Sequence, residues 1–172
     1  MKSMTDASRL KILRSLTAFI IFGLVVSGIT AFPLRWELDI LASLVTSADS
    51  SLDPADYTGL QHWILKVRHG LHQTYDEFPF IAYGTDWLAF GHIVIALFFI
   101  PLWIDPVRYR ANLVVGMAAC VLIFPLAMIC GPIRGIPFYW QLIDCSFGIV
   151  AGVVFGIMLW LTPKDSGSSE TT

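Results

Sequence analysis

The sequence places one carboxylate, Asp144, about one turn inside its last long apolar run. At the centre of a membrane helix an aspartate costs roughly 2.5–3.5 kcal/mol, less near the interface, and it usually faces protein and has a partner. Two candidate partners stand at matching depth. His92 is six residues into a run that begins at Asp86, about 9 Å along a helix at 1.5 Å per residue. Arg134 lies in the short turn just before the run that carries Asp144. In a catalytic reading His92 is a general base, Asp144 orients it, and Arg134 anchors a phosphate or carboxylate. Asp86, Tyr83, Trp87 and Trp140 would form the rim and bind the ligand. The plainer reading is a brace, in which Asp144 pairs with Arg134 or His92 and fixes the packing. Cys145 adds a nucleophile by residue type only, because a thiolate is disfavoured in apolar surroundings.

The other chemistry-bearing patterns are weaker. His69, His72 and Asp76 fall three and four residues apart, a spacing that can ligate a metal. Two histidines need a third strong ligand, such as His62 or Glu77, and a hydrated polar face explains the pattern equally well. A haem would need a second imidazole opposite His92. No cofactor is expected. Of the three cysteines, Cys130 and Cys145 stand near the same ends of adjacent runs, where a disulfide is sterically conceivable, while Cys120 is too deep to join.

Four apolar runs must position these residues, over about residues 12–32, 86–104, 111–130 and 139–161. Each has about the 20 residues that a helix needs to cross the roughly 30 Å hydrocarbon core. They lack the period-2 alternation of barrel strands. The chain has 172 residues, 56% hydrophobic and 14% charged, with mean hydropathy +0.69. That is too apolar for an ordinary soluble domain, and the four runs leave no room for a large one. A net charge of −2 gives no reason to expect nucleic acid. The fold expected is all-α: a single membrane domain, an integral four-helix bundle. One or two amphipathic helices are expected in the segment 33–85 between the first two spans.

Gly23, Ser27 and Thr30 share a face of the first span and suit close packing there. On the fourth, Gly148, Gly152 and Gly156 make a small-residue ridge, with Gln141, Asp144 and Cys145 on the same side. Pro125 should kink the third span and free the Val121 carbonyl. Residues 36–45 and 59–78 read as the two amphipathic pieces, separated by turn formers at 47–51 and capped at Asp56 or Thr58. In the longer piece Leu60, Ile64, Val67, Leu71, Tyr75 and Phe78 line one face. His62, Lys66, His69, Gln73 and Asp76 line the other. The polar tail 166–172 is expected to be disordered.

Lys2, Arg9, Lys11 and Arg14 precede the first span, Arg108 and Arg110 lie between the second and third, and Lys164 follows the fourth. By the positive-inside rule both termini are cytoplasmic and the segment 33–85 faces the periplasm or exterior. A competing reading makes the basic start and Gly28-Ile29-Thr30-Ala31 a cleaved signal peptide, although the run is long for one.

The stretches Tyr83-Gly84-Thr85-Asp86-Trp87-Leu88-Ala89-Phe90, Gly131 through Phe138 and Ile143-Asp144-Cys145-Ser146 resemble a family of small bacterial four-helix integral membrane proteins. The resemblance covers most of the chain after Thr17. It implies the bacterial cytoplasmic membrane and brings no activity or functional residue with it. The function expected is a multi-pass, non-enzymatic protein that binds a partner protein or lipid at the outer face. Its partners would be membrane lipids and a membrane or periplasmic protein, with a homo-oligomer also open. The alternative is an outer-leaflet enzyme acting on a lipid or lipid-linked substrate through His92, Asp144 and Arg134.

Overall fold

A computed structural model describes residues 6–47 and 52–162. The expected disordered tail, and the expected break from residue 48 to 51, lie outside the described residues. Every regular element among the described residues is helical. The long helices are α1 (Asp6–Ala31), α4 (Ala82–Phe98), α6 (Arg110–Ile133) and α7 (Phe138–Leu161). The shorter ones are α2 (Leu34–Val45), α3 (Gly59–Glu77) and α5 (Ile100–Ile104). Four segments, 6–31, 79–104, 110–133 and 138–161, are long and apolar enough to cross a membrane. Only 22%, 22%, 17% and 22% of their most apolar windows is covered by the protein itself. The rest is bare apolar surface, with Trp160 80% and Val115 68% exposed. Water would not tolerate so much of it, so the chain is compatible with a multi-pass membrane protein.

The chain divides into two compact units, residues 1–22 with 96–172, and residues 23–95. In the first unit α6 and α7 form an antiparallel hairpin. Their seam is built from glycines facing bulk. A Cβ on Gly116 would meet the Phe155 ring at 2.6 Å, and one on Gly148 would meet the Cys120 carbonyl at 2.9 Å. Leu13, Thr17, Leu102, Leu113 and Met158 are buried in the same unit, and the Phe99 and Phe155 rings stack at 5.5 Å. The second apolar segment breaks between α4 and α5, because Pro101 has no N–H for the helix. Asn112 Nδ2 donates to the Phe98 carbonyl at that break, 2.8 Å away. At the far end of α5, Arg14 Nε and Nη2 donate to the carbonyls of Trp103 and Ile104, 3.2 and 3.1 Å. The guanidinium also lies 5.8 Å from the Trp103 ring centre. Pro125 sits inside a continuous α6, and its missing N–H leaves the Val121 carbonyl without a helical donor.

In the second unit α1 and α4 meet at Gly28. A Cβ there would stand 2.8 Å from both the Ala89 carbonyl and Ile93 Cγ1. The face expected to pack, Gly23, Ser27 and Thr30, is exposed instead, with open space around Gly23. Small-residue spacing marks several faces of α1 as able to pack. Only the neighbouring backbone selects among them. Beyond α1, Pro33 accepts from Glu37 N–H and opens α2. A 3-10 turn at Pro54–Asp56 follows, capped by Asp53, whose carboxylate accepts from Ala55 N–H at 2.8 Å. Thr58 precedes α3 without a side-chain capping bond.

Helix α3 buries Ile64 and Leu65, while Leu60 and Phe78 at its ends stay exposed. The side towards α2 carries charge. Asp39 Oδ1 accepts from Arg68 Nε at 2.6 Å and from His72 Nε2 at 3.0 Å. Arg35 reaches His72 Nδ1 and Asp76 Oδ1, each at 2.9 Å. A guanidinium can only donate, so His72 Nδ1 accepts and Nε2 carries the hydrogen given to Asp39. Burial alone raises the Asp39 carboxyl, but the Arg68 hydrogen bond and charge, with the His72 hydrogen bond, outweigh it and hold it below the ordinary carboxylate value.

Candidate functional site

The sequence Ile133-Arg134-Gly135-Ile136-Pro137 ends α6 in a Schellman turn. Gly135 takes φ +69°, a left-handed conformation that glycine adopts without Cβ strain. Its N–H meets the Pro132 carbonyl at 3.1 Å, and the Ile136 N–H meets the Gly131 carbonyl at 2.9 Å, the paired bonds of that motif. Pro137 cannot extend α6 and instead precedes α7, accepting from Trp140 and Gln141 N–H at 2.9 and 3.1 Å. Gln141 is 4% exposed, and its Nε2 donates to the Ile136 carbonyl at 2.8 Å. It fits only because residue 131 is glycine. A Cβ there would lie 2.6 Å from Gln141 Cδ.

This clasp holds open a cavity of about 310 Å³ between the ends of α6 and α7. Arg134 and Asp144 both line it, with Cys130, Gly131, Gln141 and the apolar side chains of Ile123, Leu126, Ala127 and Ile136. Asp144 is half-buried and Arg134 exposed. Among the described residues neither has an ion pair within 4.0 Å. The cavity therefore presents a carboxylate, a guanidinium and an apolar wall, with no salt bridge to either charge among the described residues. Chemically, that combination suits an amphiphile. The guanidinium fork suits phosphate or carboxylate, and the carboxylate accepts from ammonium or hydroxyl.

The remaining residues singled out by sequence are distributed as follows. His92 belongs to the unit of residues 23–95, and its Nδ1 lies 2.9 Å from the Leu88 carbonyl of its own helix. The lining of the cavity between α6 and α7 includes neither His92 nor Trp140. Tyr83, Asp86 and Trp87 come together with Phe32 and Phe90 around a second cavity of about 260 Å³. Cys120, Cys130 and Cys145 are all free thiols; Cys145 is buried and Cys130 exposed. Among the described residues no three His, Cys, Asp or Glu side chains come together as metal ligands. His72 and Asp76 point instead into the α2–α3 charge network, and His69 is exposed.

That network escaped the sequence reading. Its signal was present as two stripes at four-residue spacing, Arg35 with Asp39 and Arg68 with His72 and Asp76. The buried Gln141 escaped as a clasp, although Gly131 ten residues before it was visible. No protein-family model, curated protein or solved structure matches the chain.

Proposed function

We propose that this is a non-enzymatic multi-pass membrane protein that binds an amphiphile in the cavity between α6 and α7. The amphiphile is a lipid, or the membrane-anchored end of a partner protein. The observation that carries the reading is the shared cavity of Arg134 and Asp144, with no ion pair closing it among the described residues. An ionisable residue within a span is a site by default unless a partner neutralises it. A volume of about 310 Å³ lies at the small end of the roughly 300–1,000 Å³ of ligand pockets. It suits a headgroup with its first carbons. Arg134 takes the anionic group, Asp144 a donor, and Ile123, Leu126 and Ile136 the stem.

The polar lining of the cavity, Arg134, Gln141, Asp144 and Cys130, supplies groups to hold an anion and a donor. In this reading the four long helices form a bundle in a bacterial cytoplasmic membrane. Charge asymmetry puts both termini inside and the α6–α7 turn outside. Helices α2 and α3, tied by their charge network, lie amphipathically at the outer surface and add contact area for a partner.

The test is mass spectrometry of the protein isolated in native membrane patches. Wild type should carry a defined lipid or partner. Arg134→Ala and Asp144→Asn should each lose it while remaining folded and membrane-inserted. Variants that keep the same bound species would refute the reading. Variants that fail to fold would make the pair a brace.

A further inference from the structure

The second cavity is made by other residues and has a different chemistry. Tyr83, Trp87 and Phe90 stand at i, i+4 and i+7 on α4, one face of a helix. The Tyr83 and Trp87 rings lie 6.0 Å apart at 84°, and the Trp87 and Phe90 rings 6.0 Å apart at 85°. The two right-angled corners follow one another along one helix. Phe32 also lines this open recess, whose volume is about 260 Å³. The close approach at Gly28 explains how Phe32 arrives. Gly28 lies against the Ala89 carbonyl, and Phe32 follows four residues later in the turn just after α1. Asp86 shares the lining and has no ion pair among the described residues.

We propose that this corner binds a quaternary ammonium group, with ring faces around its methyls and Asp86 as counter-charge. Aromatic faces attract cations through their quadrupole, and quaternary ammonium ligands are bound by such cages. The polar side chains of the lining are the Asp86 carboxylate and the Tyr83 hydroxyl, and the other three are aromatic. A primary ammonium would direct its N–H groups to those oxygens and make little use of the ring faces. A trimethylated nitrogen has no N–H to satisfy, so apolar rings and one negative charge complete its environment. The tendency of Trp and Tyr to gather at membrane interfaces accounts for each exposed ring singly. It does not account for right-angled rings set around an unneutralised carboxylate.

The experiment uses the full-length protein in a maltoside detergent free of choline. Tetramethylammonium chloride and ammonium chloride are titrated at matched ionic strength, followed by calorimetry. Tetramethylammonium should bind saturably and ammonium should not. Trp87→Leu, which keeps apolar bulk but removes the ring, and Asp86→Asn should each weaken binding about tenfold or more. Circular dichroism and gel filtration should show both variants folded. An equal response to the two cations, or variants that titrate as wild type does, overturns the proposal. Repeating the titration in phosphatidylcholine and phosphatidylglycerol nanodiscs identifies the source. Competition by phosphatidylcholine alone assigns the site to a lipid headgroup. Equal binding in both assigns it to a soluble quaternary amine.

Discussion

Replacing Gly148 with alanine separates a glycine that the seam requires from two that it merely contains. A Cβ at 148 stands 2.9 Å from the Cys120 carbonyl oxygen and 3.4 Å from two Ile123 carbons. The oxygen belongs to the backbone and cannot rotate aside, so α6 and α7 must part there by several tenths of an ångström. Overpacking of this kind costs about 1–3 kcal/mol. Alanine's better helix propensity returns about 0.5–1 kcal/mol. The net loss is therefore about 0–2.5 kcal/mol, centred a little above 1 kcal/mol. At Gly152 the new methyl would meet Cys120 Cβ at 3.7 Å, and at Gly156 it would meet Met117 Cε at 3.6 Å. Both are ordinary contacts, so Gly152→Ala and Gly156→Ala should be neutral or stabilising by up to about 1 kcal/mol. The sign of the change differs along one ridge. Unfolding of the three variants in mixed micelles of increasing denaturing detergent, followed by circular dichroism, reads it directly. Gly148→Ala as stable as wild type, or a common loss at all three sites, would refute the reasoning.

Three further outcomes follow from the geometry. Arg14→Ala should lower the thermal midpoint by removing the donors to Trp103 and Ile104, a loss of about 0.5–1.5 kcal/mol. Arg14→Lys should recover less than half, because an ammonium lacks the guanidinium fork. Asp39 has a depressed carboxyl, so its stabilisation is present above the unfolded value of about 3.9 and lost as pH falls through the lower folded value. Thermal midpoints taken from pH 6 to pH 2 should drop more steeply for wild type than for Asp39→Asn, and parallel curves would count against the network. Cys130 is exposed while Cys120 and Cys145 are buried, so a membrane-impermeant maleimide added outside intact cells should label wild type once and Cys130→Ser not at all. Labelling only after the membrane is opened would reverse the proposed orientation.

What could be read in the sequence was whatever depends on neighbours along the chain. Four helices long and apolar enough to cross a membrane are present, as expected, because length and hydropathy are local properties. The end of α6 is less local. Gly131-Pro132 looks like a stop, yet the helix runs through it to Ile133, and the turn is made at Gly135, where φ is positive. Two glycines were on offer, and the paired carbonyl bonds of the motif chose between them. The glycine ridge of α7 looks uniform in sequence and is not uniform in space, because contact with a second helix tightens at one point. The same holds for α1, where Gly28 rather than Gly23 meets a neighbouring backbone. The stripes of α2 and α3 could be seen singly, but which stripe meets which is a tertiary fact.

The pairing of charges is the deepest instance of this difference. By spacing alone Arg134 and Asp144 were as good a brace as a site, since depth along two helices fixes how far apart backbones are and not where side chains turn. Compare the two charged groups of this chain that invite pairing. Asp39 takes two donors onto one oxygen, and Arg35 divides itself between His72 and Asp76. Those residues sit outside the apolar spans, where water would have solvated them cheaply had they stayed apart. Asp144 sits inside a span, where desolvation is most costly and a partner most valuable, and it is the one left open beside an open arginine. A fold optimised for bracing would have closed the second pair before the first. The inverse arrangement is what supports the proposed role of the cavity between α6 and α7 as a site for groups from outside the chain.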